Sequence, residues 1–355
     1  MKKVDEDEVS SIKNKLKHID IEITKRCNLS CVHCSAQSNA KGKEMSFTEI
    51  KIILEKAVSL GLENVGFTGG EPLMRKDKLM ELLGYCKQVL NLKTHIHTNG
   101  TLVTSKDASL LAELADETSI TILGVRDQTH DEITSVKGSL KATEKGLKAL
   151  LSKHGNVRTY LVPMKSNYKE TTQIIEKVYQ MGCSKFRLLL LSPTGRARES
   201  FDDISLNLKE RRWLSTELMI IGEGLDIDID VGFCTRQDYP HLGELQGHQS
   251  CLAAENRMHM DALGEVYPCT ASSGLQIFSG GNIRMHELAD LWKTSPMFQL
   301  FRYFHANPPL KCRICIEYLQ CMGGCRVMMF HKYRDITIAK PDCKSQSLCL
   351  YKCFD

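Results

Sequence analysis

The segment Cys27-Asn-Leu-Ser-Cys31-Val-His-Cys34 sets three cysteines at gaps of three and two residues. Thiolates this close along a loop can converge on one small inorganic centre, yet they supply only three ligands. A cubane iron–sulfur cluster is usually held by four thiolates, so three would leave one iron open, much as a catalytic zinc keeps one open position. A structural zinc knuckle and three unrelated buried cysteines are the other readings of the spacing. The flanks add context. Ile19-Asp-Ile-Glu-Ile-Thr24 alternates apolar and polar residues as a strand does. Beyond the cysteines, Ser46-Phe-Thr-Glu49 offers a capping box to a helix.

Outward from this loop, strands alternate with amphipathic helices. The pattern predicts strands at 19–24, 64–68, 93–98, 119–123, 156–162 and 185–191, and helices near 46–60, 77–90, 105–115, 139–153 and 168–181. Six such units with short connections imply parallel strands and right-handed crossovers. Six are fewer than a closed eight-unit barrel requires, so an α/β fold with an open, partial (β/α)6 barrel is expected. Its chemistry belongs at the C-terminal ends of the strands. Thr68-Gly69-Gly70-Glu71-Pro72 lies at one such end, where two glycines allow close backbone approach and Glu71 adds a carboxylate. His97-Thr98-Asn99-Gly100 lies at the next. Upstream, Asp5 to His18 reads as a short helix covering the barrel.

Composition narrows the class. The 355 residues suggest two domains. A net charge of +4, with no basic arm or stripe, does not suggest a nucleic-acid partner. No apolar run reaches the ~20 residues of a membrane helix, and no signal peptide is evident, so a cytoplasmic location is expected. Fifteen cysteines without a secretion signal point to metal binding rather than to disulfides. They are uneven: three at 27–34, only Cys86 and Cys183 in the next two hundred residues, both expected in the core, and ten beyond residue 233.

The cysteine loop after a first strand resembles the signature of the radical S-adenosylmethionine (radical SAM) superfamily. The resemblance implies that Cys27, Cys31 and Cys34 hold a 4Fe–4S cluster whose open iron chelates S-adenosylmethionine. It implies that Gly69, Gly70 and Glu71 contact the amino group of that cofactor's methionine. Asn99 falls in the Thr-Asn-Gly often found in the family, and Thr121 where a ribose-contacting serine is common. His130, in the stretch Thr121 to Asp131 that precedes Gly138-Ser139, reads as a structural histidine. Arg187 and Arg196, near Ser192-Pro-Thr-Gly-Arg196 after the sixth strand, read as partners of a carboxylate or as solvated ion pairs.

The far end carries a second resemblance. Cys251, Gly264, Cys269, Cys312-x2-Cys315-x5-Cys321-x3-Cys325 and Cys343, with Gly281-Asn-Ile and Leu291-Trp292 between them, are similar to the SPASM domain. Arg257 to Pro268 reads as a hairpin turning at Asp261 to Gly264. A zinc ribbon is the structural alternative. By resemblance, Cys312, Cys315, Cys321 and Cys343 hold an outer auxiliary cluster, and Cys251, Cys269 and Cys325 an inner one. Its fourth ligand is expected to be Cys234, the competing reading being an open iron there. Cys349 and Cys353 are spares. The domains expected are an extension at 1–18, a partial barrel at 19–205, a bridge at 206–250 and the SPASM region at 251–355.

Together the resemblances imply three 4Fe–4S clusters and reductive cleavage of S-adenosylmethionine to a 5′-deoxyadenosyl radical. The expected outcome is oxidative modification of a ribosomally made peptide, such as a thioether or carbon–carbon crosslink. A small molecule, a tetrapyrrole side chain or a sulfatase is the alternative substrate. A non-catalytic iron–sulfur electron carrier is the third reading, and the intact Gly69-Gly70-Glu71 argues against it. An electron donor such as flavodoxin or ferredoxin is implied. With about eighteen residues before the barrel, leader recognition would fall to a separate protein or to the barrel surface.

Overall fold

The computed structural model describes residues 15–38, 44–153, 155–231, 251–313, 318 and 323–338. Cys234, Cys315, Cys321, Cys343, Cys349 and Cys353 lie outside the described residues, as does most of the expected N-terminal helix. Where that helix was expected to end, residues 15–17 are not helical and His18 already opens the first strand.

The barrel runs β1 (His18–Glu22), α1 (Phe47–Ser59), β2 (Asn64–Thr68), α2 (Lys76–Gln88), β3 (Lys93–Thr98), α3 (Ser105–Leu114), β4 (Glu117–Thr121), α4 (Asp127–Thr134), α5 (Ser139–Leu151), β5 (Val157–Leu161), α6 (Thr171–Gln180) and β6 (Lys185–Leu188). All six strands pair in parallel and in chain order. The capping box forms as read: the Ser46 hydroxyl accepts from Glu49 N at 3.2 Å, and Glu49 accepts from Ser46 N at 2.7 Å. Caps of this kind contribute about 1 kcal/mol.

Two features extend the expected six-unit barrel. After α7 (Ala197–Ile204) and α8 (Leu208–Gly224), the segment read as an interdomain bridge supplies β7 (Asp228–Val231), a seventh parallel strand beside β6. On the other edge, β8 (Arg257–Met260) pairs in parallel with β1. It turns at Asp261–Gly264 into β9 (Glu265–Tyr267), which pairs with β10 (Gly281–Asn282). The cysteine-rich half therefore continues the barrel's own ten-stranded sheet, in the order β10-β9-β8-β1-β2-β3-β4-β5-β6-β7. Helices α9 (Leu288–Thr294), α10 (Pro296–Ala306) and α11 (Arg326–Tyr333) follow.

The alternation in β1 decides what faces where. Ile19 and Ile21 are fully buried in the apolar core, as are Val65 and Phe67 of β2. Truncating a side chain such as Phe67 to alanine would cost about 3–5 kcal/mol. The opposite faces carry His18, Asp20, His95, His97, Arg158 and Arg187, and these line a cavity. A closed eight-stranded barrel fills its interior with branched apolar side chains. This one keeps a polar chamber.

Candidate cofactor and substrate site

The cavity, of about 730 Å³, extends from the cysteine loop down the inside of the barrel. Three elements grip the loop. From β2, Gly70 N donates to Thr24 O and Glu71 N to Arg26 O, both at 2.7 Å. The approach is so close that a Cβ on Gly70 would lie 1.9 Å from Arg26 O. From α4, the carbonyls of Thr134 and Ile133 accept from Ser30 N at 3.0 Å and Val32 N at 2.9 Å. From the turn after β6, Arg196 N donates to Cys34 O at 3.0 Å, and its guanidinium reaches Cys31 O at 2.8 Å and Ser38 O at 2.7 Å. Gly195 permits this contact: its φ is +57°, and a Cβ there would sit 2.2 Å from Cys34 O.

None of the nine described cysteines forms a disulfide. Burial, and then the neighbouring thiols of Cys34 and Cys27, pushes Cys31 up to about 12. Cys27 is raised by burial, with further contributions from Glu71 and Cys34. Cys27 and Cys31 thus both feel Cys34, and Cys31 feels Cys27, within one small volume, and a bound metal centre would relieve the repulsion by holding thiolates there. Among the described residues no three His, Cys, Asp or Glu side chains close on a point tightly enough for a single metal ion. Three thiolates from one short loop suit a cluster that leaves one iron open. The donor set therefore fits an iron–sulfur centre, with Arg196 as a neighbouring cation.

The other expected residues fall as follows. Gly69, Gly70, Asn99 and Thr121 line the cavity beside the cysteines. Asn99 Nδ2 donates to Asn28 Oδ1 at 3.0 Å and lies 3.9 Å from Cys27 Sγ. Glu71 was expected to present its carboxylate to a ligand, but it is 1% exposed. Its oxygens accept from Leu73 N at 3.0 Å, Thr98 Oγ1 at 2.7 Å and Asn99 N at 2.7 Å. It joins the ends of β2 and β3. His130 is buried, and its Nδ1 pairs with Ser139 Oγ at 3.0 Å, within a network that ties Asp131 to Gly138 and Leu140. That network fixes α4 beneath the cysteine loop, in keeping with the structural reading. Arg187 forks onto Asp230, and Arg196 is engaged by backbone carbonyls, so neither is the solvated ion pair considered as an alternative. The support that α4 and Arg196 give the loop had no local signature in the sequence.

The family model of the Radical SAM superfamily matches residues 21–191, which contain the whole of this loop and strands β2 to β6. The chain carries a radical SAM domain. A second model, SPASM, an iron-sulfur cluster-binding domain, matches residues 251–316. The AdoMet-dependent heme synthase of Methanosarcina barkeri is 26% identical, over 91% of this chain and 94% of that protein. The mycofactocin maturase MftC of Mycolicibacterium smegmatis is 25% identical, over 91% of this chain and 81% of its own length. Streptococcus suis SuiB bound to the precursor peptide SuiA shares the fold, with a TM-score of 0.77 at 20% identity, covering 95% of this chain and 78% of that one. The two domains imply S-adenosylmethionine and iron–sulfur clusters as cofactors. Among the described residues no helix is long and apolar enough to cross a membrane.

In the SPASM domain, Cys251, Cys269 and Cys325 converge. Burial, and then the Cys269 thiol, raises Cys251, while burial and Cys325 push Cys269 up to about 11. Cys312 is half-buried in the turn Leu310–Arg313. Cys86 and Cys183 are buried in the radical SAM core, as expected. A buried ionic network joins the two domains. Glu22 takes Lys25 Nζ at 2.7 Å on Oε2, and His259 Nε2 and Ser273 Oγ, each at 3.1 Å, on Oε1. Burial opposes ionisation of Glu22, but the His259 hydrogen bond and the Lys25 charge outweigh it and hold the carboxyl at about 2. Lys25 also reaches Ala36 O at 3.4 Å, just past Cys34. The cysteine loop and the SPASM hairpin are thus braced against each other.

Proposed function

We propose that this chain is a radical SAM enzyme that oxidatively modifies a ribosomally made peptide. In this reading Cys27, Cys31 and Cys34 hold the cofactor-binding cluster. Gly69, Gly70, Asn99 and Thr121 form the wall for S-adenosylmethionine, with Glu71 positioning that wall from behind. When bound, the cluster and S-adenosylmethionine supply one-electron cleavage to a 5′-deoxyadenosyl radical that takes a hydrogen from the substrate. The barrel wall orients the substrate carbon and excludes water. Cys251, Cys269 and Cys325, with Cys234, would hold one auxiliary cluster, and Cys312, Cys315, Cys321 and Cys343 another. Either would be placed to accept the electron released by oxidation.

The chamber's lining supports a peptide substrate. It is ionic and hydrogen-bonding on every strand face that reaches it, and the same volume must hold the cofactor. A polar side chain of an extended peptide suits such walls. The similarity to a mycofactocin maturase agrees with this reading. The second reading, a tetrapyrrole side chain, is favoured by the similarity to heme synthases along nearly their whole length. The test is anaerobic incubation of reconstituted protein with S-adenosylmethionine, dithionite and peptides encoded beside the gene, followed by mass spectrometry. Loss of two hydrogens from a peptide with stoichiometric 5′-deoxyadenosine is the expected result. Product formed only with a carboxylated porphyrin would establish the second reading, and no 5′-deoxyadenosine under any condition would overturn both.

A further inference from the structure

The floor of the chamber shows an imbalance between donors and acceptors. Its acids are already engaged by protein cations and hydroxyls. Asp20 takes His18 Nε2 at 2.9 Å and Thr270 Oγ1 at 3.2 Å, Glu117 takes Arg158 Nε at 3.3 Å, and Glu63 takes Lys17 Nζ at 3.2 Å, while Arg187 is held by Asp230. The donors are not used up. Arg257 has no ion pair and no side-chain hydrogen bond among the described residues, and its Nε is a buried donor without a partner. A buried donor of this kind is unfavourable until an acceptor reaches it. His95 and His97 face the same space with no side-chain hydrogen bond to the described residues. Tyr160, whose ring lies 5.4 Å from that of His97, accepts from Arg187 at 3.4 Å and keeps its own proton to give. A chamber with saturated acids and spare donors calls for an acceptor, and a guanidinium matches a carboxylate in two-pronged fashion.

We propose that the barrel floor around Arg257 is a subsite for a carboxylate of the substrate. Arg257 pairs in register with His18, four residues below Glu22. At a strand rise of about 3.3 Å per residue, the subsite lies roughly 13 Å beneath the strand ends near the cysteine loop. The carboxylate is therefore the far end of an extended group whose reacting carbon lies nearer the loop. It belongs either to an acidic peptide or to a free organic acid. This assignment deepens the proposed function by naming what the substrate chamber recognises.

The test is ligand-observed NMR on the reconstituted full chain with three probes: glutarate, its diamide glutaramide, and the blocked peptide acetyl-Ala-Glu-Ala-amide, whose only carboxylate is the side chain. Saturable binding of glutarate or the acidic peptide, and not of glutaramide, is expected, and the tighter of the two identifies the source. Arg257→Gln should weaken the bound acid by about ten- to a hundredfold, and Arg257→Lys, which keeps the charge without the fork, by less. Absence of acid binding to the wild type, equal affinity for the diamide, or equal affinities across wild type and both variants would overturn the proposal. Formation of 5′-deoxyadenosine by the wild type is measured separately. Its failure would remove the catalytic reading and leave the binding result standing.

Discussion

Replacing Glu71 with alanine separates two roles that its place in the chain leaves joined. The carboxylate is buried and accepts from Leu73 N, Thr98 Oγ1 and Asn99 N at 2.7–3.0 Å. Burial raises its ionisation above the ordinary carboxylate range in spite of these three donors. Each hydrogen bond to a charged acceptor is worth about 1.5–3 kcal/mol. Part of that is returned because a buried charge disappears with the side chain. A net loss of about 3 kcal/mol follows, or roughly 5–10 °C in Tm for a domain of this size. The assay is thermal unfolding of the metal-free chain, paired with the dissociation constant for S-adenosylmethionine after reconstitution. If Glu71 positions the wall, the metal-free Tm falls together with cofactor affinity, and Glu71→Gln is intermediate. An unchanged metal-free Tm with weakened cofactor binding would refute this reasoning, because Glu71 would then act on the ligand alone.

Arg196→Met removes two hydrogen bonds from the cysteine loop, to Cys31 O and Ser38 O. Iron bound at Cys27, Cys31 and Cys34 should then be lost to a chelator about ten- to a hundredfold faster, with the auxiliary-cluster signal retained and Arg196→Lys in between. Burial lowers His130 to about 4. Its unfolded pKa is higher, near 6.5, so its contribution to stability is present at pH 7 and is lost as pH falls from about 6.5 towards 4. Linkage gives about 2 kcal/mol between pH 7 and pH 5, visible as a drop in the urea midpoint that is reduced in His130→Gln.

Where periodicity is local, the chain announces its own structure. The expected strands 64–68 and 93–98 are β2 and β3 to the residue, and the hairpin turns where Asp261 to Gly264 said it would. The spacing of Cys27, Cys31 and Cys34 and the pattern from Cys251 onward were legible for the same reason, since a ligand loop is a short-range object. Elements that depend on distant partners were not legible. Asp228–Val231 lies in a stretch that reads as extended, but its place as a seventh strand is decided by the edge that β6 offers. Asp127–Thr134 is a poor helix former on propensity, and it is held by Asp131, Ser139 and the backbone of the cysteine loop. Arg196 meets Cys31 across 165 residues, and the Glu71 carboxylate is held inward because the end of β3 presents two donors to it. Sequence by itself determined which residues could carry the chemistry, because ligand type and spacing are written locally. Tertiary structure alone decided which of them face the chamber and which brace it, because a side chain's direction depends on donors and acceptors that only the folded sheet brings within reach.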